Sequence, residues 1–89
     1  MPFAINFTSD LTVAQYNEIW DHLRAQGADH PAGRLSHVGF EKDGSVRVVD
    51  IWDSMEDFEK FGQTLLPIIE KIGGTVTPDV TPTLYYQGS

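Results

Sequence analysis

The sequence contains no cysteine among its 89 residues. That absence excludes disulfide bonds, thiolate metal ligands and a cysteine nucleophile, and it suits the reducing cytoplasm, where we expect the protein to be. Positive charge is also scarce, because six Lys and Arg stand against 13 Asp and Glu, for a net charge of −7. Nucleic acids and anionic membranes are themselves negative, so we expect neither as a partner.

Long apolar runs and familiar cofactor motifs are missing too. No stretch is apolar for long enough to predict a helix across a bilayer. The three histidines, His22, His30 and His37, lack ligand spacing such as HxxxH, so we expect no metal site. There is no Walker loop, GxGxxG or GxSxG motif either, and we expect no cofactor.

What the sequence does contain is an ordered series of strand-like and helix-like segments. Alternation and β-branched residues predict strands at residues 3–7, 35–41, 45–52 and 83–87. Apolar residues at helical spacing predict helices at about 13–26 and 55–72. Thr12 and Gln15 have the form of a capping box at the start of the first helix. Asp53 or Ser54 is expected to cap the second, and Pro67 is expected to kink it.

The order βαββαβ predicts one α+β domain, residues 1–89, with the ferredoxin-like arrangement. Both helices then cover one face of an antiparallel sheet. The second and third predicted strands nevertheless carry large apolar side chains on both faces of the sheet. Val38 and Val49 are examples on one face, and Val46 and Val48 on the other. A second copy of the chain would cover the other face, so we expect a homodimer.

The turn between the second and third strands decides whether a His–Asp pair forms. A two-residue turn at Asp43-Gly44 pairs Lys42 with Ser45, and therefore His37 with Asp50. A carboxylate beside an imidazole fixes its tautomer and stabilises its charged form, which suits a general base. His37 and Asp50 are therefore the candidate catalytic residues.

That register also sets Leu35 opposite Trp52, which would bring an indole to the same face, near the small Gly39. A three-residue loop with Gly44 in the left-handed conformation is an open alternative. It shifts the pairing by one residue and sets His37 opposite Val49. In that case His37 is a partly buried histidine that the backbone or water satisfies.

Four further side chains are candidates for ligand binding. Arg34, after the loop that ends in Gly33, suits an anionic or carbonyl oxygen, although a surface ion pair would also explain it. Asn6 is a polar group in an apolar strand and needs a hydrogen-bonding partner. Tyr16 and Trp20 lie on the core side of the first helix, where their polar tips can reach a cavity.

The segment from Trp52 to Phe58, Trp-Asp-Ser-Met-Glu-Asp-Phe, ends a strand and opens a helix. It resembles the W-x-S-x-E-x-F signature of the antibiotic biosynthesis monooxygenase (ABM) superfamily. The resemblance implies a homodimeric α/β barrel with one pocket per subunit, lined by Trp52, and it loosely matches Asn6 to a strand asparagine of some members. Haem-degrading members carry a histidine ligand near the position of Phe61, so the resemblance does not extend to haem.

Two functions follow as hypotheses. In the first, the protein is a cofactor-independent monooxygenase or an isomerase, acting on a small aromatic or carbonyl compound, as the resemblance implies. In the second, it is a non-catalytic dimer that binds a small ligand or serves a structural role. A pocket that brings His37, Asn6 or Arg34 together favours the first hypothesis. A pocket filled by aromatic side chains favours the second.

Overall fold

The computed structural model describes residues 2–87. Its six elements follow the predicted order: β1 (Phe3–Ser9), α1 (Val13–Ala25), β2 (Arg34–Lys42), β3 (Ser45–Trp52), α2 (Met55–Ile72) and β4 (Val76–Pro82). The strands form one antiparallel sheet in the order β2-β3-β1-β4. This is the α+β ferredoxin-like fold that the sequence predicts.

Both helices pack on the same face of the sheet, and the core lies between the two layers. The buried apolar residues of that core are Ile5, Leu11, Ile19, Leu23, Val46, Trp52, Phe61, Ile68 and Ile69. The sheet contributes alternate residues of β1 and β3, as a half-buried sheet should. Among residues 2–87, no helix is both long and apolar enough to cross a membrane.

Side-chain caps fix where each helix begins. The Gln15 N–H donates to Thr12 Oγ1 at 3.1 Å, and Gln15 Oε1 accepts from the Thr12 N–H at 2.9 Å, so the predicted capping box is confirmed. Ser54, one of the two proposed caps of α2, accepts from the Asp57 N–H at 3.2 Å. Pro67 lies inside α2 as expected, and a kink there stays a prediction.

The β2–β3 hairpin uses the two-residue turn. Asp43 and Gly44 have φ angles of 55° and 81°, the left-handed pair that a tight hairpin turn requires. The register therefore pairs His37 with Asp50, and the alternative pairing with Val49 is wrong. The register shifts further along, however, because Leu35 is left out of the ladder as a β-bulge.

The last strand differs from the prediction. Residues 83–87 form no strand, and β4 is Val76–Pro82 instead. Pro78 and Pro82 make this strand hard to recognise in the sequence, since proline cannot donate to a ladder. β4 pairs only with β1 and forms one edge of the sheet. An edge strand uses half of its backbone groups for pairing and so tolerates proline.

The face of the sheet away from the helices, here called the open face, is partly apolar. It carries Val38 and Phe40, which are 56% and 43% exposed, beside Val49 and Ile51 of β3. Asn6 also lies on this face, paired with Val49 across the ladder. The open face is therefore a surface with exposed apolar side chains in the single chain.

Candidate functional site

The candidate site forms where α1 crosses the β2–β3 hairpin. The tight turn sets His37 opposite Asp50, and strand alternation points both side chains toward the helices. Tyr16 projects from α1 onto the same spot. The structure thus brings together three side chains from three elements, two of which the sequence analysis named as catalytic candidates.

These side chains form a continuous chain of hydrogen bonds. Tyr16 Oη lies 2.7 Å from His37 Nε2, and His37 Nδ1 lies 2.5 Å from Asp50 Oδ1. The Trp52 indole N–H donates to the other carboxylate oxygen, Asp50 Oδ2, at 3.3 Å. Asp50 is 3% exposed, so its charge is stabilised by these two donors rather than by water.

The chemistry of the partners fixes the protons in this chain. An ionised carboxylate only accepts hydrogen bonds, so His37 Nδ1 carries the proton that Asp50 receives. In the neutral imidazole, Nε2 is then an acceptor, and Tyr16 donates its hydroxyl proton to it. The arrangement leaves His37 ready to take a proton through Tyr16, with Asp50 placed to stabilise the resulting imidazolium.

Aromatic packing holds the imidazole in place. The Tyr16 ring lies nearly parallel to the His37 ring, with 5° between the planes and 6.3 Å between the centroids. The Trp20 ring meets His37 edge-on at 5.1 Å. These contacts, together with the two hydrogen bonds, restrict rotation of the ring and preserve the geometry of proton transfer.

Gly39 makes room for Tyr16. A Cβ atom at this position would lie 2.2 Å from Tyr16 Oη and 2.7 Å from its Cζ. No side chain can approach that closely, so only glycine allows the phenol to reach His37 across β2. The sequence predicts the small Gly39 near the pair His37–Asp50, but the contact between Gly39 and Tyr16 depends on the path of α1.

Arg34 enters the site because of the bulge at Leu35. With Leu35 out of the ladder, Arg34 rather than Leu35 stands opposite Trp52, which corrects the predicted pairing. The bulge turns the arginine toward the helices. Its Nη2 donates to the Asp29 carbonyl at 2.9 Å, and its guanidinium lies over the rings of Trp20 and Phe61, at 5.4 and 5.7 Å.

Burial sets the electrostatics of Arg34. It lowers the pKa of the guanidinium, because the charged form loses hydration, while the negative potentials of Asp50, Tyr16 and Asp29 act in the opposite direction. Phe61 was not among the predicted ligand-binding residues. Its place on the buried stripe of α2 was visible in the sequence, but its contact with Arg34 required the bulge.

A cavity of about 70 Å³ lies beside these residues, between the helices and the sheet. Its polar end is formed by Tyr16, Arg34, His37 and Asp50, and most of the remaining wall is apolar. The wall is completed by Phe7, Ser9, Leu11, Ile19, Trp20, Leu23, Val46, Val48, Phe61, Leu65, Ile69 and Val76. A mainly apolar pocket with a few convergent polar groups is the usual form of a small-molecule site.

Two of the predicted ligand-binding residues lie elsewhere. Asn6 is exposed on the open face, opposite to the cavity, because it alternates with Ile5 and Phe7. Trp52 shares the face of His37 but is fully buried behind Asp50, where it packs against Phe58 and Phe61. It supports the site through Asp50 and does not line the cavity. Within residues 2–87, no cluster of three His, Cys, Asp or Glu side chains could hold a metal ion.

Comparison with solved structures finds the same fold in other proteins. The chain is similar to SnoaB, a cofactor-independent oxygenase from Streptomyces nogalater, with 17% identity over 96% of this chain and 93% of that chain, at a TM-score of 0.63. It is similar to Rv0793 from Mycobacterium tuberculosis, with 14% identity over 97% of this chain and 98% of that chain, at a TM-score of 0.71. It is also similar to a Deinococcus radiodurans protein proposed to be an antibiotic biosynthesis monooxygenase, with 11% identity over 100% of this chain and 98% of that chain, at a TM-score of 0.65.

These similarities extend over nearly the whole chain, and they confirm the predicted α+β ferredoxin-like fold of the single chain. At such low identity they establish the architecture alone. No protein-family model and no curated protein matches the sequence.

Proposed function

We propose that this protein is a homodimeric, cofactor-independent enzyme that removes a proton from a small aromatic or carbonyl compound. The observation that carries the proposal is the hydrogen-bonded chain Tyr16–His37–Asp50 at the polar end of an apolar cavity. An apolar wall can hold an aromatic or carbonyl substrate, and a positioned His–Asp pair is a common general base.

The hydrogen-bonded chain Tyr16–His37–Asp50, here called the relay, suggests how the proton moves. Tyr16 Oη accepts a proton from an acidic O–H or C–H of the substrate as its own hydroxyl proton passes to His37 Nε2. Asp50 then balances the charge of the imidazolium across the Nδ1–H bond. The substrate is left as a phenolate, enolate or carbanion, with no change in its oxidation state up to this point.

Two outcomes follow from that anion. Return of the proton to a different carbon completes an isomerisation. Alternatively, the anion passes electrons to dioxygen, a carbon–oxygen bond forms, and the peroxide takes the proton back from the relay, so carbon is oxidised and dioxygen reduced. The likeness to SnoaB, itself a cofactor-independent oxygenase, supports the oxygenase outcome.

The test measures proton abstraction and oxygen use separately. Small 1,3-dicarbonyl compounds are incubated with the protein in D₂O, with NMR detection of deuterium exchange at carbon, and oxygen uptake is measured with an oxygen electrode for these compounds and for small hydroquinones. His37→Gln should lower exchange by about 10²–10⁴-fold, the usual contribution of a general base. His30→Gln, whose side chain is 92% exposed in a loop, is the matched control and should leave the rate unchanged.

A His37→Gln variant as active as the His30→Gln control would remove histidine from the reaction. An enzyme that catalyses exchange without consuming oxygen would be an isomerase. Oxygen uptake that depends on His37 would identify an oxygenase.

The homodimer is proposed on the exposed apolar side chains of the open face, and on the resemblance to a dimeric barrel. Light scattering after size exclusion should give about twice the 9.9 kDa mass of one chain. Phe40→Asp on the open face should return the mass to that of the single chain, because it removes an exposed aromatic side chain and adds a carboxylate that association would desolvate. Leu66→Asp, on the exposed side of α2, is the control. A dimeric Phe40→Asp variant would contradict this interface.

The second candidate is a non-catalytic dimer that only binds a small ligand. It is favoured by the modest cavity and by the way Tyr16, His37 and Asp50 satisfy one another. Binding without any His37-dependent exchange, over the whole panel, would support it. For either function we propose that the protein is cytoplasmic. A chain without cysteine has no disulfide bond that the reducing cytoplasm could break.

A further inference from the structure

Within the part of the chain that the structure describes, Arg34 is a half-buried cation without an anionic partner. Among residues 2–87, no carboxylate oxygen lies within 4.0 Å of its guanidinium. One of its five N–H donors goes to the Asp29 carbonyl, and no other protein hydrogen bond of the side chain is found in that range. The guanidinium carbon lies over the aromatic rings of Trp20 and Phe61, which do not accept the remaining N–H donors as a carboxylate would.

The nearest strong negative group is already occupied. Asp50 accepts from His37 on one oxygen and from Trp52 on the other, and no ion pair between Asp50 and Arg34 is found within residues 2–87. Burial lowers the pKa of Arg34, so its charge is incompletely solvated in the chain alone. A partly desolvated guanidinium with free donors in a pocket wall is chemically suited to an anion.

The cavity limits what that anion is attached to. The volume of about 70 Å³ is the space open to the centres of water molecules. One water needs ~10–15 Å³ of that space, so the cavity holds roughly five waters. Five waters correspond to about 150 Å³ of liquid, the space of one small ring. Apart from its polar end, the wall is almost entirely apolar, which suits a hydrocarbon body.

Charge decides between kinds of anion. A phosphate dianion would meet a single cation and the nearby carboxylate of Asp50, which would repel its second charge. A carboxylate carries one charge, and its planar pair of oxygens matches the fork of a guanidinium.

We propose that the pocket binds a small, mostly apolar monocarboxylate of one ring or less, with its carboxylate on Arg34. Only the placing of the reactive atom beside Tyr16 and His37 rests on the function proposed above. The bulge at Leu35 is then a specificity device, because it turns the one anion-binding side chain into the pocket.

Benzoate and benzamide are suitable probes, since they share size and ring and differ in charge. Binding is followed by the shifts of backbone amide signals in two-dimensional NMR. For the unchanged protein, benzoate should shift pocket residues and bind at least about tenfold more tightly than benzamide. Arg34→Gln should remove that preference and leave benzamide binding as it was.

Arg47→Gln is the matched control, because it removes the same charge from the open face, where Arg47 pairs with Phe40. It should leave the affinities for both ligands unchanged. Arg34→Lys keeps the charge but loses the planar fork, and it should retain part of the preference for benzoate. If Arg34→Gln does not fold, Arg34→Lys still tests the geometry.

Equal affinity for benzoate and benzamide in the unchanged protein would overturn the proposal, as would the absence of benzoate binding. An Arg34→Gln loss that Arg47→Gln reproduces would also overturn it. The reaction is tested separately: if His37→Gln leaves proton exchange intact while benzoate binding still requires Arg34, the proposed catalysis fails and the ligand class stands. The reverse pattern rejects the ligand class alone.

Discussion

The two faces of the sheet divide polar and apolar groups in an unusual way. On the helix side, the buried layer contains a charged carboxylate, an imidazole and a guanidinium beside apolar neighbours. On the open face, the same strands expose valine and phenylalanine to the surroundings. Within residues 2–87, no buried side-chain nitrogen or oxygen lacks a hydrogen-bonding partner. The helix side therefore holds a hydrogen-bonded polar cluster within an apolar layer, whereas the open face presents exposed apolar side chains.

Trp52→Ala is the change with the largest expected effect on this comparison. Trp52 is fully buried, packs on Phe58 and Phe61, and donates to Asp50. Its loss should lower the free energy of unfolding by about 3–5 kcal/mol, measured in urea, through lost burial and the cavity left behind. Val38→Ala on the open face should cost less than about 1 kcal/mol where the chain is monomeric. Similar losses for the two variants would mean that both faces are equally packed.

Asp50→Asn tests whether the charge on the helix side matters for stability. The amide keeps the shape, but it cannot accept on both sides and no longer pairs with a protonated imidazole. We expect a loss of about 1–3 kcal/mol in thermal or urea unfolding. Asp79→Asn, at an exposed position of β4 on the open face, should change stability by less than about 0.5 kcal/mol. An Asp50→Asn variant as stable as the Asp79→Asn control would show that the buried charge serves function only.

The last pair of effects comes from two glycines with opposite surroundings. Gly39→Ala places a Cβ against Tyr16 Oη, so the phenol must leave His37, and we expect a loss of about 1–3 kcal/mol. Gly62→Ala in α2 meets no atom within 4 Å and should stabilise the helix by about 0.5–1 kcal/mol. Urea unfolding gives both values. The histidine side-chain signals of Gly39→Ala should also change, and unchanged signals would separate Gly39 from the site.

Local sequence chemistry predicted the parts of the molecule that depend on neighbouring residues. Thr12 and Gln15 are three residues apart and cap a helix by themselves. The turn at Asp43-Gly44 fixes its own geometry, and through it the pairing of His37 with Asp50. The sequence left two registers open because either turn length suits an Asp-Gly pair, and only tertiary packing distinguishes them.

The remaining parts depended on contacts between distant segments. The bulge at Leu35 has no turn residue to announce it, yet it decides that Arg34 enters the pocket. The strand at Val76–Pro82 was hidden by its prolines, which are tolerated because β1 binds only one side of it. Asn6 was misplaced for a different reason. Side chains alternate along β1, so Asn6 faces away from Ile5 and the core, and a polar side chain does not change that alternation.

The bulge at Leu35 also affects how this chain meets other chains. β2 is an outer strand of the sheet, and a straight outer strand is a template on which a further chain can add by backbone pairing. The unpaired residue bends that edge and interrupts its repeat of donors and acceptors. Deleting Leu35 would restore a regular edge and keep Arg34 opposite Trp52, on the helix side. One irregular residue thus protects the protein against aggregation along this edge.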